Sequence, residues 1–199
     1  MFEVRIHGRG GQGVVTAAEL LSIAGFEEGF WAQAIPSFGS ERMGAPVVAF
    51  CRLNECEIRS REPITSPDAV IIQDPTLLHQ VKVFEGLSPG GYVLINSSRS
   101  LDQLGIGEFV DKLPRGHAAC LPATELALRH VGRPVPNAAL LAGLCAITGR
   151  LKPASIEAAI RRKFKGEVGE KNVAAAREAF AMFANVEVKE GARAHAQAV

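Results

Sequence analysis

Residues 6–21 read IHGRGGQGVVTAAELL, which sets Gly8, Gly10 and Gly13 at the spacing G-x-G-x-x-G, with Arg9, Gly11 and Gln12 between them. Glycines so spaced let a chain turn tightly, bring its backbone close to a phosphate and press a helix onto a strand. The first turn of that helix then offers N–H groups that have no partner of their own. The chemistry implied is the binding of an anion rather than the making of a bond. A dinucleotide loop also wants an acid about 20 residues on, at the end of the second strand, to hold a ribose hydroxyl. Here that region reads FWAQAIPSFG, and the first acid after it is Glu41. Three uses stay open: NAD or FAD, another phosphate or a cofactor held by a partner, and simple packing of helix on strand. Arg9 and Gln12 count against packing alone, which needs neither a guanidinium nor an amide.

A second polar concentration is Ser37, Phe38, Gly39, Ser40, Glu41 and Arg42, in SFGSERMGAP. Arginine offers a forked donor to carboxylate or phosphate, and Glu41 is placed to orient it. The plainer alternative is a surface turn with a Glu–Arg pair. Two polar, glycine-bearing loops on one sheet edge make a site a better reading than either loop alone. The remaining candidates are weaker. His7 closes a strand, as hydrogen-bonded structural histidines do, and His79, His117, His130 and His195 have no metal spacing. Cys51, Cys56, Cys120 and Cys145 contain no C-x-x-C pair, so neither an iron–sulfur cluster nor a zinc site has its usual ligands. RRKFK, residues 161–165, ends a helix, where cations suit the dipole. No nucleophile–base pair, paired-acid motif or P-loop is present.

The elements that position these loops follow from hydrophobic period. Residues 2–7 alternate, with Phe2, Val4 and Ile6 on one face and Glu3, Arg5 and His7 on the other, a polar face that must meet water or a partner. Residues 14–28 have a helical stripe of Val14, Ala17, Ala18, Leu21 and Ala24, with Gly25 or Gly29 as its stop. WAQAI and PVVAFCRLN predict strands, and CEIRS a short return strand. DAVIIQD and GGYVLINS are continuous apolar runs of strands buried on both faces. A helix is expected over 75–87 from Pro75. GHAACLPATELALRHVG reads as strand into helix, and NAALLAGLCAITG as a buried helix capped by Asn137. A helix near Pro153 stopped by Gly166, and an amphipathic helix over 170–185, complete the chain. The prediction is an α/β, Rossmann-like or flavodoxin-like layered sheet, with helices on both faces and a helical C-terminal part. One domain is expected over 1–187, with a flexible or partner-docked tail over 188–199.

With 199 residues, 47% apolar and 22% charged, the chain can bury a core of its own, and a net charge of +1 disfavours a nucleic-acid-coating protein or a disordered one. The N-terminus lacks the regions of a signal peptide, and no apolar run is long enough to span a bilayer. A cytoplasmic protein without membrane or nucleic-acid partners is the expectation.

Taken together, GRGGQGVVTAAELL, PSFGSERMGAPVVAFCRL and PDAVIIQD resemble the gamma subunit, or gamma domain, of the 2-oxoacid:acceptor (pyruvate:ferredoxin-type) oxidoreductase family. The likeness runs from about residue 2 to 149 and on toward the C-terminal helices. Met43 stands where many relatives carry a second arginine. The resemblance implies a subunit without a catalyst of its own. In such enzymes thiamine diphosphate and magnesium lie between alpha and beta subunits, and [4Fe-4S] clusters lie in cysteine-rich parts, including a ferredoxin-like delta subunit. A 2-oxo acid is decarboxylated, its electrons pass singly to the clusters, and coenzyme A takes the acyl group. Electrons leave to ferredoxin, or to NAD through a further subunit. The substrate range it leaves open is pyruvate, 2-oxoglutarate, branched-chain and aryl 2-oxo acids such as phenylglyoxylate. The gamma part packs on the catalytic subunits and helps form the coenzyme A approach. By motif, Gly8, Arg9, Gly10, Gly11, Gln12 and Gly13, with Ser37, Phe38, Gly39, Ser40, Glu41 and Arg42, carry that contact. The readings set against it are a stand-alone NAD- or FAD-binding oxidoreductase and a purely structural assembly subunit.

Overall fold

Residues 69–72, AVII, are apolar on both sides and form a strand buried throughout, β4 (Ala69–Ile72). In the computed structural model, which describes residues 1–36 and 43–196, β4 lies inside a six-stranded sheet. The other strands are β1 (Phe2–Arg9), β2 (Trp31–Pro36), β3 (Pro46–Asn54), β5 (Tyr92–Asn96) and β6 (Ala118–Leu121), and the order is β2-β3-β1-β4-β5-β6. β1, β4, β5 and β6 run parallel, while β3 is antiparallel to both β1 and β2. The connection leaving β1 leads to one side of the sheet, and the strands that follow β4 extend to the other. The crevice outside the carboxyl ends of β1 and β4 is therefore a switch point of the topology, where α/β sheets bind ligands.

Helices α1 (Val14–Glu27), α3 (Ala123–Val131), α4 (Asn137–Thr148), α5 (Pro153–Lys163) and α6 (Gly166–Ala196) cover one face. Their apolar stripes meet Val4, Ile6, Cys51, Ile71 and Leu94 of the sheet. Within α4 every residue from Asn137 to Cys145 is buried, so this helix is the centre of the layer. On the opposite face Val70, Ile72, Val93 and Ile95 pack against Leu77, Val83, Phe84 and Phe109. That cover is a 3-10 turn (Pro75–His79), irregular chain and the short α2 (Gly107–Val110). The layered α/β fold is the expected one, with helices shared unequally between the faces.

Several local expectations are corrected. Residues 75–87 form no α-helix: after the 3-10 turn the carbonyls of Val83 and Glu85 accept from the Arg5 guanidinium rather than from N–H groups four residues on. CEIRS is not a strand. The chain from Cys56 onward gives its carbonyls to side chains, Cys56 O to Asn54 (3.0 Å) and Glu62 O to Arg52 (2.6 Å). Most of the polar face of β1 is withdrawn from solvent, because these two irregular segments cover it: Arg5 and His7 are buried, at 8% and 6% exposure, and Glu3 is half-buried. Asn137 does not cap α4. Pro136 holds that position, and the Asn137 amide is committed elsewhere. Gly166 does not stop α5 but opens α6; α5 ends at Lys163, where Phe164 turns extended and packs on the core.

Candidate functional site

The glycine loop begins inside β1. Gly8 and Arg9 pair with Val47 and Pro46 as strand residues, and only Gly10, Gly11, Gln12 and Gly13 form the turn. A Cβ on Gly8 would lie 2.6 Å from Val14 Cγ2 and 2.8 Å from Gln73 Oε1, so glycine is what lets α1 sit this close to the sheet. Gly13 is the N-cap of α1 with φ 75, the left-handed region, and a Cβ there would also meet Asn137 Nδ2. Gly13 supplies no side-chain cap. The first-turn N–H groups of Val14, Val15 and Thr16 therefore have no hydrogen-bond partner among the described residues, the arrangement that receives an anion.

This first turn faces an open cavity of about 380 Å³, whose walls include Arg9, Gly11, Val15, Met43 and Val47. Gly10 N–H donates to Ala45 O (2.9 Å), and Gly44 N–H to Gly10 O (3.1 Å). The glycine loop is thus joined to the end of SFGSERMGAP. Pro36 and Met43, on either side of the second loop, end at this same edge of the sheet. Ser37, Phe38, Gly39, Ser40, Glu41 and Arg42 themselves lie outside the described residues. Met43, 87% exposed, presents its methyl group to Gly11 and makes this wall apolar.

The guanidinium of Arg9 is engaged. Its Nε donates to Asp74 Oδ2 (3.0 Å), Nη1 to Gly44 O (3.0 Å), and Nη2 to Thr76 Oγ1 (2.6 Å) and Gln80 Oε1 (2.8 Å). Gln12 folds back, its Oε1 accepting from Arg9 N–H (2.7 Å) and its Nε2 donating to Asp74 Oδ2 (3.1 Å). Asp74 Oδ1 accepts from Thr76 N–H (3.0 Å) and Thr76 Oγ1 (2.6 Å). Burial alone would raise the Asp74 pKa, but the hydrogen bonds from Thr76 and Gln12 and the Arg9 charge together hold it below the ordinary carboxylate value.

Beneath the loop runs a line of amides. Asn137 Nδ2 donates to Gly13 O (3.1 Å), Gln73 Nε2 to Asn137 Oδ1 (2.7 Å), and Asn96 Nδ2 to both Gln73 O (2.8 Å) and Thr124 Oγ1 (2.8 Å). Gln73, only 2% exposed, has no hydrogen-bond partner for its Oε1 among the described residues. Sequence reasoning missed Gln73, Asp74, Asn96 and Asn137 as parts of this site. The signal available was position: each polar group follows an apolar strand or opens an apolar helix at the carboxyl edge.

Among the described residues that line the cavity there is no carboxylate, histidine, hydroxyl or thiol. Among the described residues no group of three His, Cys, Asp or Glu could hold a metal ion. The four cysteines are unpaired, and burial pushes the thiols of Cys120 and Cys145 up to about 11 and about 12. A dinucleotide reading is weakened further by topology. The strand that follows α1 is β2, separated from β1 by the antiparallel β3 rather than lying beside it.

The family model described as pyruvate ferredoxin/flavodoxin oxidoreductase matches residues 3–182. The chain is 47% identical over 182 residues to the pyruvate/ketoisovalerate oxidoreductases common subunit gamma of Pyrococcus abyssi, covering 90% of this chain and 96% of that one. It is 43% identical over 180 residues to the pyruvate synthase subunit PorC of Methanothermobacter marburgensis, with the same coverage. Among solved structures, the pyruvate oxidoreductase subunit PORC of Thermotoga maritima superposes with a TM-score of 0.75 at 34% identity, covering 90% of this chain and 94% of that one. The fold alone is shared with the 2-oxoglutarate:ferredoxin oxidoreductase of Magnetococcus marinus, solved with 2-oxoglutarate, coenzyme A and succinyl-CoA. There the TM-score is 0.71 at 17% identity, over 92% of this chain and 31% of that longer one. With a family model matching residues 3–182 and relatives matched over nine-tenths of its length, the chain belongs to the pyruvate ferredoxin/flavodoxin oxidoreductase family.

Proposed function

We propose that this chain is the gamma subunit of a multi-subunit enzyme that oxidatively decarboxylates a 2-oxo acid to an acyl-CoA. In this reading the body over 1–187 packs on alpha and beta subunits, a ferredoxin-like delta subunit completes the assembly, and 188–199 is a flexible or partner-docked tail. In the same reading thiamine diphosphate, magnesium and the [4Fe-4S] clusters sit in those other chains; in support, no group of three His, Cys, Asp or Glu among the described residues could hold a metal ion. Ferredoxin accepts the electrons, or NAD does through a further subunit. Pyruvate and 2-oxoisovalerate are the first substrates to try, because the relatives are named for them.

The chain's own contribution is to coenzyme A. The observation that carries this is the cavity at the α1 N-terminus, where partnerless N–H groups stand beside the apolar Met43 and Val47. The N–H groups suit a phosphate, and the apolar wall suits the thin pantetheine arm. Gly8 to Gly13, with Ser37 to Arg42, are the proposed contact residues.

The test is to tag the chain in its native host, identify the proteins that purify with it, and assay coenzyme A-dependent oxidation of a panel of 2-oxo acids. Recovery of thiamine- and cluster-bearing chains with activity supports the proposal and names the substrate. A lone, inactive chain that binds NAD or FAD overturns it.

A further inference from the structure

Arg9 is the one cation among the described residues that line the cavity, yet its charge is answered before any ligand arrives. Asp74 Oδ2 takes the Arg9 Nε and the Gln12 Nε2 together, while Oδ1 takes both Thr76 donors. The other Arg9 donors go to Gly44 O, Thr76 Oγ1 and Gln80 Oε1. The Asp74–Arg9 pair thus ties three pieces of chain to each other: the carboxylate joins the glycine loop to the turn that follows β4, and the guanidinium it holds reaches Gly44 at the far end of the second loop. Charge-assisted bonds of this kind are short and directional, and they persist where side chains are mostly withdrawn from water. Here the two side chains of the ion pair are 20% and 15% exposed.

We infer that Asp74 is the positioning residue of the site. It acts through Arg9 and Gln12 to fix the glycine loop, so that the first turn of α1, and not the Arg9 charge, presents to an anion. Of the contact residues proposed above, Arg9 is then the exception, a tether within this chain and not a phosphate ligand. The inference deepens the coenzyme A reading of the cavity and rests on it for its kinetic consequences, but the tether itself can be tested without it.

Two variants in the assembled complex, Asp74→Asn and Arg9→Gln, read the role kinetically. Each is expected to raise KM for coenzyme A about tenfold while KM for the 2-oxo acid and kcat at saturation stay within about twofold. The double variant is expected to be no worse than either single one, because both remove the same link. Effects that multiply, to about a hundredfold, would show Asp74 acting through its cap on Thr76 and overturn the inference. A fall in kcat with KM for coenzyme A unaltered would overturn it as well, being the mark of a general loss of structure.

Hydrogen exchange on the full chain, without partners or ligand, reads the tether directly. Faster exchange at the bonded amides of Arg9, Gly10, Gln12 and Gly44 in either variant, with β5 and β6 unaltered, is the expected result. Unaltered exchange at the loop overturns the inference whatever the kinetics show. Faster loop exchange with no effect on any coenzyme A constant keeps the tether and instead counts against the coenzyme A reading of the cavity.

Discussion

His7 sits under the chain that follows the 3-10 turn, with the Arg5 guanidinium as its charged neighbour. Burial disfavours the imidazolium, the Arg5 charge adds to that, and the Val83 carbonyl offsets only part, so the His7 pKa is pushed down to about 4. The sign of the consequence follows from proton counts. Between the ordinary value near 6.5 and 4, the unfolded chain carries this proton and the folded chain does not, so stability rises with pH. His7 contributes its full share above about pH 6.5 and loses it as pH falls toward 4, a difference of about 3 kcal/mol. Urea unfolding between pH 6.5 and 5, above the carboxylate range, should show the slope, and His7→Gln should remove it. A slope that survives the substitution would sink the assignment.

Among the elements, α4 is the one most dependent on packing. It is buried along nine consecutive positions, and its Gly143 lies where a Cβ would come within about 3 Å of Leu121 and Leu94. Leu141, fully buried, leaves a cavity with no side able to close when cut back to alanine, so Leu141→Ala should cost about 3 kcal/mol in denaturant unfolding. A loss below about 1 kcal/mol would mean that the helices relax around the gap. Elements like this are legible in the sequence because one period runs through them without interruption. The apolar runs of β4 and β5, and the stripe of α1, are read correctly for the same reason. What escapes the sequence is backbone claimed from far away. Residues 75–87 carry a helix-like start at Pro75, but Arg5 takes two of their carbonyls from β1, about 80 positions distant in the chain. Asn137 looks like a cap until Gln73 and Gly13 are found to hold its amide. The site is legible to the same extent: the glycine loop announces itself by composition, whereas Asp74 gains its meaning only when β1 and β4 lie side by side.

At the scale of the whole molecule, strand order decides between ligands. A dinucleotide fold places the strand after the first helix next to the first strand, so that an acid at its end reaches the ribose. Here β3 takes that place, running the other way, and β2 ends and β3 begins at the edge that carries the glycine loop. The chain is therefore expected to show no rise in melting temperature above about 1 °C with millimolar NAD, NADP or FAD, since a ligand that binds the native state raises its stability by mass action. A rise of several degrees would restore the dinucleotide role. No helix among the described residues is long and apolar enough to cross a membrane.

The two buried arginines on the far side of the sheet have a consequence for change over time. Arg5 and Arg52 grip the irregular cover through main-chain carbonyls, Val83 O, Glu85 O and Glu62 O, a group that every residue type supplies. The attachment therefore constrains how many residues lie along each covering segment, and not which ones. Substitutions on the outward side of these segments leave the grip intact, whereas a single insertion or deletion would carry a carbonyl out of reach of its guanidinium. That surface is free to be rewritten for a different neighbour while the sheet beneath it stays as it is.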